Sequence, residues 1–176
     1  MFTEKRVKLP KPPTKSRLMN IALYYLERFE SSEENLRTVL RRRIDKYVFL
    51  NREYNPVAAY QWVEEVIAEC LKQNFVNDER FALLKIESYL KAGKSRRYIE
   101  QKLKQKGIDE KLVASYFDNS AYSELETALD FAQKKKIGRF RPDKENRLAN
   151  RQKDLAALIR AGFDYDVAKE VLEAED

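Results

Sequence analysis

Gly107-Ile108-Asp109, followed by the apolar residues Leu112, Val113, Tyr116 and Phe117, recurs as Gly162-Phe163-Asp164, followed by Val167, Ala168, Val171 and Leu172. Each residue of the second set stands 55 positions after its counterpart, and Leu103 and Leu158, four residues before each glycine, keep the same offset. A glycine behind an apolar stripe is a common helix end, and an aspartate shortly after it is a good cap for the next helix. The recurrence therefore reads as an internal repeat of a helix–turn–helix unit. Such repeats build extended binding surfaces more often than catalytic pockets.

Working back from Gly107, Ile99 and Leu103 mark the buried side of a helix capped by Ser95. Gly93 stops the helix before it, which starts at Asn77-Asp78 and carries Ala82, Leu83, Ile86, Tyr89 and Leu90 on one face. Working back from Gly162, a long helix runs through Ile159, Leu158, Leu155 and Leu148 to Asp143. Ser123 and Glu126 have capping-box spacing and open a helix with Leu125, Ala128, Leu129 and Ala132, which residues 137–142 break.

Further upstream, Leu18, Ala22, Tyr25, Leu26 and Phe29 share a helix face, and Ser31-Ser32-Glu33-Glu34 supplies the S-x-x-E spacing that opens a helix with Leu36, Val39 and Leu40. Asn55-Pro56 opens a third, with Val63, Val66, Ile67 and Cys70. The run Tyr47-Val48-Phe49-Leu50 is strand-like in composition but has no partner strand, and segment 46–55 reads as an insert.

The expected fold is all-α, a tandem array of three three-helix repeats forming an elongated, curved molecule. The repeats fall at 17–73, 77–119 and 121–176, with fewer contacts between them than within them. Residues 1–16, with Lys5, Arg6, Lys8, Lys11, Lys15 and three prolines, read as a flexible basic arm.

Composition agrees with a helical chain and narrows the chemistry. Hydrophobic residues make up 43%, enough for packed cores, while four glycines and five prolines in 176 residues leave little turn material for a sheet. The absence of histidine removes His-dependent triads and His-ligated metals. Cys70, the one cysteine, shares a helical stripe with Val63, Val66 and Ile67 and reads as a small core residue. The glycines are too dispersed for a phosphate-binding loop. The expectation is a non-enzymatic protein with no metal and no cofactor. No stretch approaches the ~20 apolar residues of a membrane span, and no secretion signal is evident, so a soluble cytoplasmic protein is expected.

The net charge of +6 is unevenly spread. Positions 91–106 hold seven basic residues against Glu100, and positions 134–151 hold eight against Asp143 and Glu145. Arg41, Arg42 and Arg43 form a third cluster, and positions 164–176 run the other way, with six acids against Lys169. Cationic helix faces suit phosphate backbones, which they bind through counterion release, and they suit acidic protein surfaces equally well. The candidate contact residues are Arg41, Arg42 and Arg43; Lys94, Arg96, Arg97, Lys102 and Lys104; and Lys134, Lys135, Lys136, Arg139 and Arg141.

Leu71-Lys72-Gln73-Asn74-Phe75-Val76-Asn77-Asp78-Glu79-Arg80-Phe81-Ala82 resembles the motif joining the first two repeats of the RecX family. Gly93 to Ile99 and Leu103 to Ile108 look like that family's second repeat; Lys134-Lys135-Lys136 and Leu158 to Asp164 look like its third. Asn74 stands where glycine is common, and Arg42-Arg43-Ile44-Asp45 replaces a usual Lys-Gly ending. The resemblance implies a bacterial regulator built of tandem three-helix repeats. It implies binding in the groove of the RecA–DNA filament and inhibition of RecA ATP hydrolysis and strand exchange. The expected partners are thus the RecA filament and single- or double-stranded DNA, met by a monomer. The alternative is a helical protein that binds nucleic acid directly, without a recombinase partner.

Overall fold

The computed structural model describes residues 10–173, and every regular element in that range is helical. In chain order these are α1 (Lys15–Leu26), α2 (Glu33–Leu50), α3 (Val57–Lys72), α4 (Asp78–Lys91), α5 (Arg96–Lys104), α6 (Glu110–Asp118), α7 (Glu124–Lys135), a 3-10 turn (Gly138–Phe140), α8 (Lys144–Ala161) and α9 (Tyr165–Glu173). The chain divides into two compact units, one ending at Phe81 and the other beginning at Ala82.

In the first unit α1, α2 and α3 close on a core of Leu18, Ala22, Leu36, Leu40, Ile44, Val63, Val66, Ile67 and Cys70. Most of the proposed basic arm, residues 1–9, lies outside the described residues. The rest of the arm differs from expectation, because Thr14 accepts the Arg17 N–H at 3.3 Å and starts α1 at Lys15. α1 also ends early, at Leu26, leaving Phe29 exposed rather than in its apolar face.

The S-x-x-E expectation at Ser31 is off by one residue. Ser32 caps α2, accepting the Asn35 N–H at 3.2 Å, while the Glu33 N–H donates to the Asp78 carboxylate at 2.8 Å. The segment set apart as an insert is partly helix: α2 runs unbroken to Leu50, so Tyr47 to Leu50 are its last turn. Burying Ile44 on the same stripe as Leu36 and Leu40 carries the helix through the arginine run.

In the second unit, α5 and α6 pack on each other through Ile99, Leu103, Val113 and Phe117. α7, α8 and α9 enclose Ala128, Phe131, Ala132, Ile137, Leu158, Phe163, Ala168 and Val171. The two copies of the repeated motif close their helices with the same hydrogen bonds. The Ile108 N–H donates to Leu103 O at 3.1 Å, and the Phe163 N–H donates to Leu158 O at 3.2 Å. Gly107 and Gly162 take left-handed φ of 75° and 98° to allow this. α3, α4 and α7 end the same way around Asn74, Gly93 and Lys136, all with positive φ. Asp109 caps α6 as expected, accepting the Lys111 N–H at 2.8 Å.

The helix pairs that pack most closely all lie within one expected repeat, and α4–α6 meet α7–α9 at one corner. Phe131 of α7 lies 3.2 Å from where a Cβ on Gly93 would stand, and the Phe131 and Phe163 rings are 5.9 Å apart. The Ser95 N–H donates to Ala161 O at 3.4 Å. The corner between α4 and α5 is thus packed on α7 and on the turn between α8 and α9.

Candidate partner and nucleic-acid interface

The basic residues marked in the sequence fall into two groups once their neighbours are known. Five are held by carboxylates. Arg41 donates to Glu64 at 2.9 Å, and Arg96 to Glu100 at 2.7 Å and Asp118 at 3.3 Å. Arg97 meets Asp164 at 3.2 Å, Lys104 pairs with Glu110, and Arg141 binds Asp154. The Arg97–Asp164 pair is open to solvent, so both groups stay available to a partner.

Arg96 and Arg141 are placed differently. The Arg96 guanidinium lies 5.1 Å from the Phe117 ring centre, and its backbone N–H donates to the Tyr122 hydroxyl at 2.9 Å. Arg141 grips the buried Asp154 through Nε at 2.8 Å and Nη2 at 2.7 Å, while the Gly138 N–H donates to the same carboxylate at 2.9 Å. Burial works to raise the Asp154 pKa, but the Arg141 and Gly138 hydrogen bonds outweigh it and hold the group below the usual carboxylate range. This network fixes the turn between α7 and α8. Arg141 therefore serves the fold.

The remaining candidates, Arg42, Arg43, Lys94, Lys102, Lys134, Lys135, Lys136 and Arg139, have no carboxylate partner among the described residues. Lys94, just before α5, and Lys102 within it flank the Tyr98 ring at 4.8 and 5.6 Å. Arg139 lies over Phe140 at 5.1 Å. Lys134 donates through Nζ to the Lys91 carbonyl at 3.3 Å, so the basic end of α7 meets the basic corner between α4 and α5. Two basic stretches far apart in sequence thus meet at this contact. Beside it, Arg97, Tyr98, Ile159, Arg160, Asp164 and Tyr165 line a cleft of about 310 Å³.

Sequence reasoning missed the Asp78 and Arg80 anchors. Asp78 holds the start of α2, and Arg80 binds Glu30 at 2.7 Å and reaches the carbonyls of Asn74 and Phe75. It also missed Asp154, although a carboxylate four residues before Leu158 on the buried stripe was a visible signal. Cys70 is buried, and burial pushes its thiol pKa up, the reverse of what a nucleophile needs. Among the described residues no cluster of three or more His, Cys, Asp or Glu is arranged to hold a metal. Nor is any helix there long and apolar enough to cross a membrane.

The family model described as RecX, second three-helix domain, matches residues 77–115, which span α4, α5 and most of α6. The regulatory protein RecX of Myxococcus xanthus is 37% identical over 174 residues, covering 97% of this chain and 92% of that protein. The regulatory protein RecX of Agrobacterium fabrum is 26% identical over 166 residues, 89% of this chain and 85% of its own. The crystal structure of RecX from Lactobacillus salivarius superimposes with a TM-score of 0.56 at 22% identity, covering 90% of this chain and 94% of that one.

Proposed function

The chain belongs to the RecX family of regulatory proteins, and from that premise we propose that it is a non-enzymatic modulator of the RecA recombinase. It binds in the groove of the RecA–DNA filament and lowers ATP hydrolysis and strand exchange. Three three-helix repeats at 17–73, 77–119 and 121–176 supply the binding surface, and the monomer is the working form.

The observation that carries this reading is the contact of Lys134 with the Lys91 carbonyl, which brings the basic end of α7 to the basic corner between α4 and α5. Lys94, Lys102, Lys135, Lys136 and Arg139 add charge that no carboxylate of the described residues neutralises. Such a surface suits the phosphates of a filament's DNA or an acidic protein face, and it needs no pocket. The solvent-open pair of Arg97 and Asp164 gives the same face one cation that a phosphate can capture by displacing Asp164.

The test is co-sedimentation with RecA filaments on single-stranded DNA, together with RecA ATPase and strand-exchange assays at increasing amounts of this protein. Filament association with falling ATPase supports the reading; no association at moderate salt refutes it. The cleft that joins Arg97 and Arg160 to Tyr98 and Tyr165 favours a second reading, direct binding of nucleic acid. That reading wins if naked DNA binds as tightly as the filament and RecA adds nothing.

A further inference from the structure

The first unit holds a cavity of about 420 Å³ between α1, the end of α2 and the residues just before α1. Among the described residues its charged lining is all of one sign: Lys11, Arg17, Arg43 and Lys46. None of the four has a carboxylate partner among the described residues, in contrast to Lys15, Arg37 and Arg41 of the same unit, which are paired with Glu65, Glu33 and Glu64. Arg17 donates to the Pro12 carbonyl at 2.6 Å, which fixes its guanidinium at the rim. The walls are aliphatic, with Leu18, Ile21 and Leu50 facing Pro10 and Pro13.

We propose that this cavity is a docking site for an acidic segment of a partner protein that inserts one large apolar side chain. Four unneutralised cations around a greasy floor complement carboxylates that flank a leucine- or phenylalanine-sized anchor. A nucleic acid fits less well, because no aromatic ring among the described residues lines the cavity to stack a base, and a phosphate alone would leave the aliphatic walls unused. The volume is at the small end of the ~300–1,000 Å³ range of binding pockets, enough for a single anchor. The proposal concerns the first unit alone and stands whether or not the second unit binds a filament.

The experiment titrates a short synthetic peptide, glutamates on both sides of one phenylalanine, into the full-length protein and follows methyl NMR signals. Saturable shifts at Ile21 and Leu50 are expected. Replacing the phenylalanine by alanine, or the glutamates by glutamine, weakens binding at least ~10-fold, equivalent to about 1.4 kcal/mol. Arg43→Glu with Lys46→Glu abolishes the shifts while helical circular dichroism stays unchanged. Should that variant fold poorly, Arg43→Gln with Lys46→Gln gives a partial loss on the same assay. Absence of saturable shifts at Ile21 and Leu50 overturns the proposal. So does binding indifferent to either pair of substitutions, or displacement of the peptide by an oligothymidylate of equal charge.

Discussion

Asp154 brings a carboxylate into the core at 1% exposure, and its two oxygens accept from Arg141 and from the Gly138 N–H. Asp154→Ala leaves the buried Gly138 N–H without its acceptor and strips Arg141 Nε and Nη2 of theirs, so it should lower unfolding free energy by about 3 kcal/mol, read by urea denaturation. The same group makes stability depend on acid. Its folded pKa lies below the unfolded value of about 3.9, so the unfolded chain takes up the proton first. The stabilisation is complete above about pH 4 and is lost as pH falls through the lower, folded value. Asp154→Asn should flatten this part of the acid-unfolding profile. Lys136 is a second residue-scale case: with φ at 53° it occupies a conformation that suits glycine. Lys136→Gly should raise stability by about 1 kcal/mol and the midpoint by roughly 2–4 °C in a thermal scan. The sequence offered Lys136 only as charge, because nothing local marks a lysine as the left-handed residue of a helix end.

At the scale of elements, helix punctuation was legible because it depends on neighbours in sequence. Ser95, Asp109, Ser123 and Asp143 each cap the helix they were expected to open. Deviations arose where a distant group took over the role. The Glu33 N–H is satisfied by Asp78 from 45 residues away, which a search for local capping boxes cannot detect. The two glycines of the repeated motif show the same limit. Gly107 is exposed and only ends a helix. Gly162 also lies under α5, where a Cβ would overlap Ser95 Oγ and stand 2.9 Å from Tyr98 Cβ. Gly107→Ala should therefore cost about 1 kcal/mol, from left-handed strain alone. Gly162→Ala should cost about 3 kcal/mol, because overpacking adds to the strain. Equal losses in denaturant melts would contradict the docking role of Gly162.

At the scale of the whole molecule, the sequence revealed the helical class and the uneven charge, since both follow from composition and periodicity. It did not separate structural from available cations, because that depends on which carboxylate folding brings near. Arg96, Arg141 and Lys94 look alike in sequence, yet Arg96 meets Glu100 and Asp118, Arg141 meets the buried Asp154, and Lys94 lies beside Tyr98. This division makes a prediction about binding. Lys94→Glu, Lys102→Glu and Lys135→Glu together should weaken association with RecA–DNA filaments at least ~10-fold, with thermal stability almost unchanged, because surface charges away from partners contribute little to folding. If these lysines bind phosphates, the slope of log affinity against log salt should fall by about one for each phosphate that the variant no longer neutralises. Arg141→Ala should show the opposite pattern: a lower melting temperature, with filament affinity retained at temperatures where the protein stays folded. Co-sedimentation at several salt concentrations, alongside thermal melts, reads both outcomes. If Arg141→Ala weakens filament binding while leaving the melt untouched, its assignment to the fold fails and the interface extends to the turn between α7 and α8.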